Sequence, residues 1–410
     1  MGASLFFLLL LYNRAPDKFV AKEEQKNFCK DYTFWRICVI MKEAIRKEDL
    51  NMSNLKNFQA LLIENGYDAA IITDPLNQHY LSGFEFHDGI VLVLQKDAYL
   101  LTDFRYVEAA KEKACKGMQV LTPEKGAIDA IRTILGEHNC ERVVIEEDNL
   151  SFGSYERYRS LLIGTTLTGG ASVLLTGLRL FKSDEELEAI ARAQDITDAA
   201  FAHILKVLTP EMTEIDVALE LEMYMRRQGA QGLAFDTIAV SGTNSSRPHG
   251  VPRPAKLEKG FLTMDFGARL DGYCSDMTRT VVLGRADEDI KKVYNTVLLA
   301  QTVALEAAAE GVSCYELDTA ARNVIHGAGY KGCFGHSLGH GVGMFVHEEP
   351  RLSPKANKED VLKRGHVVTF EPGIYIEGKY GCRIEDMAAV CNDGSIRNFT
   401  KSPKELIELF

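Results

Sequence analysis

Several signals are missing from this chain of 410 residues, and each absence removes a class of function. No run approaches the ~20 apolar residues that cross a bilayer. The one membrane-like stretch, Leu5 to Tyr12, is short, has no Lys or Arg before it, has Arg14 after it and leads to no small-x-small cleavage site, so neither a membrane partner nor a signal peptide is expected. Met1-Gly2 is not followed by the Ser or Thr that myristoylation uses, because Phe6 stands at that position. Basic charge is in deficit too. The 47 Lys and Arg against 58 Asp and Glu leave a net charge of -11, whose field repels phosphate backbones and argues against nucleic acid as a partner. The nine cysteines, scattered from Cys29 to Cys391, contain no C-x-x-C pair and read as reduced thiols of a cytoplasmic protein. Proline is scarce, at 11 residues, and Trp35 is the single tryptophan.

What is present is an ordinary globular composition, 46% hydrophobic and 26% charged. The chain exceeds the ~250 to 300 residues at which one core stops growing, so at least two domains are expected. Residues 1–51 mix a Leu/Phe run with Lys-rich sequence and read as an extension before a second natural start at Met52. From there to residue 178, a capped helix beginning near Asn54, strands at Ala69 to Thr73, Gly89 to Leu94, Ala98 to Thr102 and Arg142 to Glu146, and intervening helical patterns describe a small α/β domain. Residues 179–410 read as an α+β domain. Ser183 with Glu186, Thr213 with Asp216 and Ser313 with Glu316 have capping-box spacing and open three helices, while Gly229, Gly311, Gly327 and Gly329 mark helix ends.

The chemistry gathers in the β-rich parts of that second region. Phe261 to Gly267, Asp271-Gly272 and Tyr273 to Arg279 form a hairpin pattern with a two-residue turn. Setting Leu270 opposite Tyr273 pairs Asp265 with Thr278 and makes Asp265 and Asp276 diagonal neighbours on one face, within ~7 to 8 Å. Two carboxylates so close repel one another unless a cation intervenes. A second hairpin, turning near Gly378, follows Glu371 and returns Arg383 and Glu385 on one face. Solubility charges on edge strands are the plain alternative for any one of these acids. All four, however, follow apolar strand residues rather than sitting in polar loops.

His336, His340 and His347 lie in the Gly-rich segment Gly335-His-Ser-Leu-Gly-His-Gly-Val-Gly-Met-Phe-Val-His-Glu-Glu-Pro, and His249 lies in a polar loop upstream. His326 and His366 read instead as satisfied core histidines. Oxygen-rich ligation with one imidazole suits Mn²⁺ or a similar ion better than a thiolate zinc site. Two such ions ~3.5 to 4 Å apart generate a hydroxide nucleophile and clamp a hydrolytic transition state.

The ordered set Asp265, Asp276, His340, Glu371, Glu385 resembles the metal signature of the pita-bread metallopeptidases. Ser241 to Gly250, the Asp265 to Arg279 hairpin, Gly339-His-Gly-Val-Gly, Val346-His-Glu and Glu371-Pro-Gly-Ile-Tyr through Gly381 to Asp386 are similar to the aminopeptidase P and prolidase branch. Tyr80 to Phe84 and Leu101 to Tyr106 resemble the creatinase-type amino-terminal domain, so the similarity spans about residues 54 to 400.

The resemblance implies a pita-bread catalytic domain behind a creatinase-type one. It also implies two divalent ions per chain, Mn²⁺ first, with Co²⁺ or Zn²⁺ as alternatives. Asp265 would chelate one ion, His340 and Glu371 the other, and Asp276 and Glu385 would bridge both. His249, His336 and His347 would position substrate and stabilise the tetrahedral intermediate, with Arg383 beside the last bridging carboxylate. The implied partners are proline-containing peptides and a second copy in a homodimer. The implied reaction is release of the N-terminal residue from Xaa-Pro peptides by a metal-bridging hydroxide, as in aminopeptidase P. Prolidase, restricted to Xaa-Pro dipeptides, is the close alternative, and a peptide-binding protein without catalysis is the distant one. Phe345 departs from the acidic residue that aminopeptidase P members often carry there.

Overall fold

The computed structural model describes residues 53–410. The readings made for residues 1–51, with Trp35, Cys29 and Cys38, lie outside the described residues. Helix α1 (Asn54–Glu64) leads into strand β1 (Ala69–Ile72), and α2 (Pro75–Ser82) follows, its N-terminus capped by the Asp74 carboxylate. Strands β2 (Gly89–Leu94) and β3 (Ala98–Thr102), helix α3 (Val107–Lys113), β4 (Met118–Leu121), α4 (Ala127–Glu137), β5 (Arg142–Ile145), α5 (Phe152–Leu161), β6 (Thr166–Gly169) and α6 (Ala171–Leu180) complete this half. Its six strands form one mixed sheet in the order β4-β3-β2-β1-β5-β6. The central strands are apolar throughout because both faces are covered. Ala70 and Ile72 point toward Phe58 and Leu62 of α1 and Leu175 of α6, whereas Ala69 and Ile71 point toward Ile131 and Leu135 of α4.

The second half is α+β. Helices α7 (Asp184–Val207) and α8 (Glu214–Arg227) precede β7 (Gly232–Leu233), β8 (Ile238–Ser241), β9 (Gly260–Phe266), β10 (Ala268–Leu270), β11 (Tyr273–Cys274) and β12 (Met277–Leu283). Helices α9 (Glu288–Glu306) and α10 (Cys314–Gly327) precede β13 (Gly339–Gly341), β14 (Glu348–Leu352), β15 (Val367–Phe370), β16 (Gly373–Ile376), β17 (Tyr380–Arg383), β18 (Asp386–Val390), β19 (Ile396–Asn398) and β20 (Glu408–Leu409). Two larger sheets result, β20-β12-β9-β8 and β14-β13-β15-β18-β19. Phe201, Leu221 and Met225 of the first helix pair pack on Met264 and Phe266, while Val297, Leu317 and Ile325 of the second pack around Val368, Phe370 and Ile384.

Capping follows the sequence at two of three helices. Ser183 with Glu186 and Thr213 with Asp216 close reciprocal capping boxes. Ser313 does not: its side chain makes no cap bond, and its hydroxyl is buried without a partner. The reason is tertiary, since Ser313 is drawn into a backbone bridge with Val361 and the Cys314 N–H donates to the Asp360 carbonyl, which does part of the cap's work. Gly311 also departs from expectation. Helix α9 stops at Glu306, and Gly311 instead turns the chain so that its N–H reaches the Leu362 carbonyl.

The hairpin register is as the sequence requires, with Leu270 opposite Tyr273 and Asp265 opposite Thr278. Asp271 and Gly272 both take positive φ, 51° and 83°, as a two-residue hairpin turn demands. The seven described cysteines are free thiols. Among the described residues no helix is long and apolar enough to cross a membrane.

Glycine fixes how closely β13 sits between its neighbours. A Cβ at Gly339 would lie 1.9 Å from the Thr369 carbonyl oxygen of β15, and one at Gly341 would lie 2.1 Å from the Glu349 carbonyl oxygen. We expect Gly339→Ala to force β13 and β15 apart and to lower stability by at least the ~1 to 3 kcal/mol typical of overpacking. Urea unfolding checks this, and an unchanged midpoint would contradict it.

Candidate metal centre

Each candidate ligand is delivered by a different strand or strand end. Strand β9 carries Asp265, and the short gap between β11 and β12 carries Asp276. The hairpin can close there because a Cβ at Gly267 would fall 2.0 Å from the Ser275 carbonyl oxygen. His340 is the middle residue of β13, Glu371 follows β15, and Glu385 lies between β17 and β18. Asp276, His340 and Glu385 are buried, which removes the reading of these acids as solubility charges on an edge.

Asp276, His340 and Glu385 each offer a ligand atom within 4.8 Å of the other two. His340 Nε2 stands 3.4 Å from Glu371 Oε1 and 3.6 Å from Asp276 Oδ2. Its Nδ1–H donates to the Gly341 carbonyl at 3.0 Å, which leaves the Nε2 lone pair facing the carboxylates. Burial lowers the His340 pKa to about 3. Asp265 stands near enough to raise the pKa values of Asp276 and Glu385, and Arg383 Nη2 donates to its Oδ2 at 2.7 Å.

Arg383 organises more of the site than its place beside Glu385 suggested. Its guanidinium bonds Asp265 directly and reaches Glu385 only through Thr278: Nε donates to Thr278 Oγ1 at 3.0 Å, and that hydroxyl donates to Glu385 Oε2 at 2.7 Å. Nη1 donates to Tyr375 Oη at 2.7 Å and to the Pro248 carbonyl at 3.2 Å. The Tyr375 hydroxyl also meets His336 Nε2 at 2.9 Å. With Nδ1–H donating to the Ser337 carbonyl, the tyrosine is the donor in that pair. Burial, and then Arg383, push the His336 pKa down to about 4.

Thr278 and Tyr375 were missed as site residues, although period-two spacing from Asp276 and the pairing of Tyr375 with Gly381 near Arg383 carried the signal.

Two loops bring the remaining histidines to the rim, and both rings are exposed. His347 packs edge-on against His340, with ring centroids 4.4 Å apart. His249 lies close enough to His336 and His347 to disfavour their protonation. Its loop is held from below by Glu214, which is fully buried and accepts from Ser241 N–H at 2.7 Å, Asn244 Nδ2 at 2.9 Å and Arg253 Nη2 at 2.8 Å. The His336 segment is held by Arg322, which pairs with Asp318 and donates to the His336 carbonyl at 2.9 Å. Of the two histidines read as core, His366 is buried and His326 half-buried. His366 Nδ1 accepts from the Lys363 N–H at 3.3 Å while its Nε2 has no partner, so the ring is satisfied on one side only.

A model of metallopeptidase family M24 matches residues 188–392, and one of the creatinase/prolidase N-terminal domain matches residues 54–180. The chain belongs to metallopeptidase family M24. It is similar to the Xaa-Pro dipeptidase of Pyrococcus furiosus, with 38% identity over 86% of this chain and 99% of that one. Among solved structures, an Xaa-Pro dipeptidase from Bacillus anthracis matches with a TM-score of 0.82 and 39% identity over 87% of this chain and 99% of its own. An X-Pro aminopeptidase from Thermotoga maritima matches with a TM-score of 0.79 and 34% identity over 84% and 98%. The fold is thus the pita-bread catalytic domain of the M24 family behind a creatinase-type domain.

M24 proteins bind divalent metals, and the residues here fit such ions. Asp276, Glu371 and Glu385 lie about one neutral imidazole, Arg383 is bonded into the cluster through Asp265, and Asp265 Oδ1 is buried without a hydrogen-bond donor. Burial, reinforced by the neighbouring carboxylates, raises the pKa values of Asp276 and Glu385. Burial likewise raises Glu371 to about 8. Without metal, the folded protein therefore keeps a proton on Glu371 that the unfolded chain, with its ordinary value of 4.5, releases. The buried histidines, whose values are lowered from 6.5, act in the opposite sense at lower pH, so stability of the metal-free protein is expected to fall as pH rises from about 6.5 to 8, where Glu371 dominates. Thermal unfolding of EDTA-treated protein across that range checks the sign. The slope should shrink in Glu371→Gln, and an identical slope in that variant would contradict the assignment.

Proposed function

We propose that this M24 chain is a metal-dependent Xaa-Pro dipeptidase, with two divalent ions per chain, Mn²⁺ first. Asp265 would hold one ion and His340 with Glu371 the other, with Asp276 and Glu385 available to both. The grouping of Asp276, His340 and Glu385 about one point supports the second of these positions. When bound, the ions supply Lewis-acid polarisation of the scissile carbonyl and activation of water at neutral pH. The protein supplies the rest. Arg383 fixes Asp265 and, through Thr278, Glu385, so both acids keep their orientation while charge shifts beside them. His249 and His347 flank the opening and hydrogen-bond the substrate, stabilising the negative charge that develops on the carbonyl oxygen. His336 and Tyr375 support that wall from behind.

One observation carries the dipeptide preference over the aminopeptidase reading that the sequence put first. Beside His347 lies a cavity of about 230 Å³ whose lining includes Arg179, Phe345 and Arg351. Arg179 is committed to Glu348 and Asn77, whereas Arg351 is exposed and lines the same cavity. Its free guanidinium matches the C-terminal carboxylate that a dipeptide presents next to its proline. The names of similar proteins support the same order, dipeptidase before aminopeptidase. The Thermotoga maritima neighbour supports the second reading, a Xaa-Pro aminopeptidase.

An Mn²⁺-supplemented assay of a Xaa-Pro dipeptide, its C-terminal amide and a Xaa-Pro tripeptide decides between them. The free dipeptide should be preferred, and Arg351→Met should raise its KM by about 10- to 100-fold, the worth of a charged hydrogen bond, while leaving the amide unaffected. Equal turnover of the tripeptide would favour the aminopeptidase. Metal analysis separates the two kinds of site residue. Glu385→Ala should lose both activity and bound metal, whereas His347→Ala should keep its metal and lose about 10²- to 10⁴-fold in kcat.

A further inference from the structure

Helix α6, the last of the N-terminal half, ends at Leu180, and two residues later Lys182 turns inward until it is only 2% exposed. A buried ammonium ion requires a close partner. Lys182 Nζ donates to Glu348 Oε2 at 2.9 Å. The other oxygen of Glu348 accepts from Arg179 Nε at 3.2 Å and from the Phe345 N–H at 3.3 Å. The polar chain continues into the N-terminal sheet. Arg179 Nη1 bonds Asn77, Asn77 Nδ2 donates to Glu146 Oε1 at 2.7 Å, and the second oxygen of Glu146 accepts the N–H groups of Thr73 and Asp74 just beyond β1. A line of paired buried groups therefore runs from the end of one domain's central strand to the residue that follows His347.

Glu348 is the closing post of the loop that carries His347. It stands opposite Gly341 in the β13–β14 ladder, where the register slips between His340 and Gly341. Such an irregularity re-aims the chain, and something must hold the aim. The loop wraps the carboxylate so tightly that a Cβ at Gly343 would lie 2.4 Å from Glu348 Oε2. Net stabilisation is a weak explanation for this arrangement, because a buried ion pair often contributes less than apolar packing of the same volume. Geometric restraint accounts for it better: one carboxylate anchored at both oxygens fixes both the loop and the ring beside it.

We propose that Lys182, acting through Glu348 together with Arg179, is a positioning residue for His347, so that the segment joining the two domains sets the angle of a histidine in the catalytic half. The proposal rests on the role given to His347 above. Lys182→Met should lower kcat for a Xaa-Pro dipeptide by about 10- to 100-fold, the scale of a small misplacement of a reacting group, with KM and bound metal little changed. Lys182→Arg, which keeps the charge and the donor, should recover most of the loss. Parental kcat in Lys182→Met would overturn the proposal. So would metal lost in step with activity, or a Lys182→Arg variant as slow as the methionine one. If circular dichroism finds Lys182→Met unfolded, Glu348→Gln, which keeps the shape but loses the charge, is judged by the same kcat and metal criteria. His347→Ala assayed alongside separates the two ideas, because parental kcat there would remove the role of His347 itself rather than the network behind it.

Discussion

Four carboxylates gathered in one buried patch repel each other, and much of the second half of this protein is arranged to hold them against that repulsion. Desolvation alone raises the pKa values of Asp276, Glu371 and Glu385, and their mutual proximity adds to it. Flexible loops would let the acids drift apart. They sit instead at the ends of strands in closely packed sheets, where glycines at 267, 339 and 341 allow backbones to approach in ways no side chain would permit. Arg383 offsets part of the charge from within, and divalent cations offset the rest when bound.

The rim of the site is held by a different device. His249 and His347 lie on loops, which by themselves would be mobile, and each loop is fastened by a glutamate removed from water. Glu214 gathers the loop from Ser241 to Arg253, and Glu348 closes the loop from Val342 to His347. Strands thus determine the spacing of the acids, while buried carboxylates under the loops determine where the histidines point.

The two halves of the chain share a core as well as polar contacts. Met344 of the His347 loop is buried among Leu81, Phe86 and other residues of the N-terminal half, and Phe345 packs at the margin of the same cluster beneath the Arg179 guanidinium. Phe345 stands where related aminopeptidases often carry an acid. An acid there would face apolar neighbours, whereas phenylalanine completes an apolar and cation–π seam. The departure is thereby explained by packing between domains.

Whatever depends on neighbours along the chain was readable from the order of residues. The Asp271-Gly272 turn sets the register that brings Asp265 opposite Thr278, because a two-residue turn admits only one pairing. Ser183 and Thr213 capped their helices for the same local reason. The five candidate metal ligands were legible as types in a fixed order, since acids are rarely placed after apolar strand residues without a purpose. Contacts between distant segments were not legible. Ser313 gave up its cap to a bridge with Val361, Arg383 turned from Glu385 toward Asp265, and Tyr375 joined His336 to Arg383. Glu348, one acid in a run of two, met Lys182 from the segment that follows α6. Each of these depended on which segments the folded sheets press together, a choice made by burial over the whole molecule and invisible to any local pattern of residues.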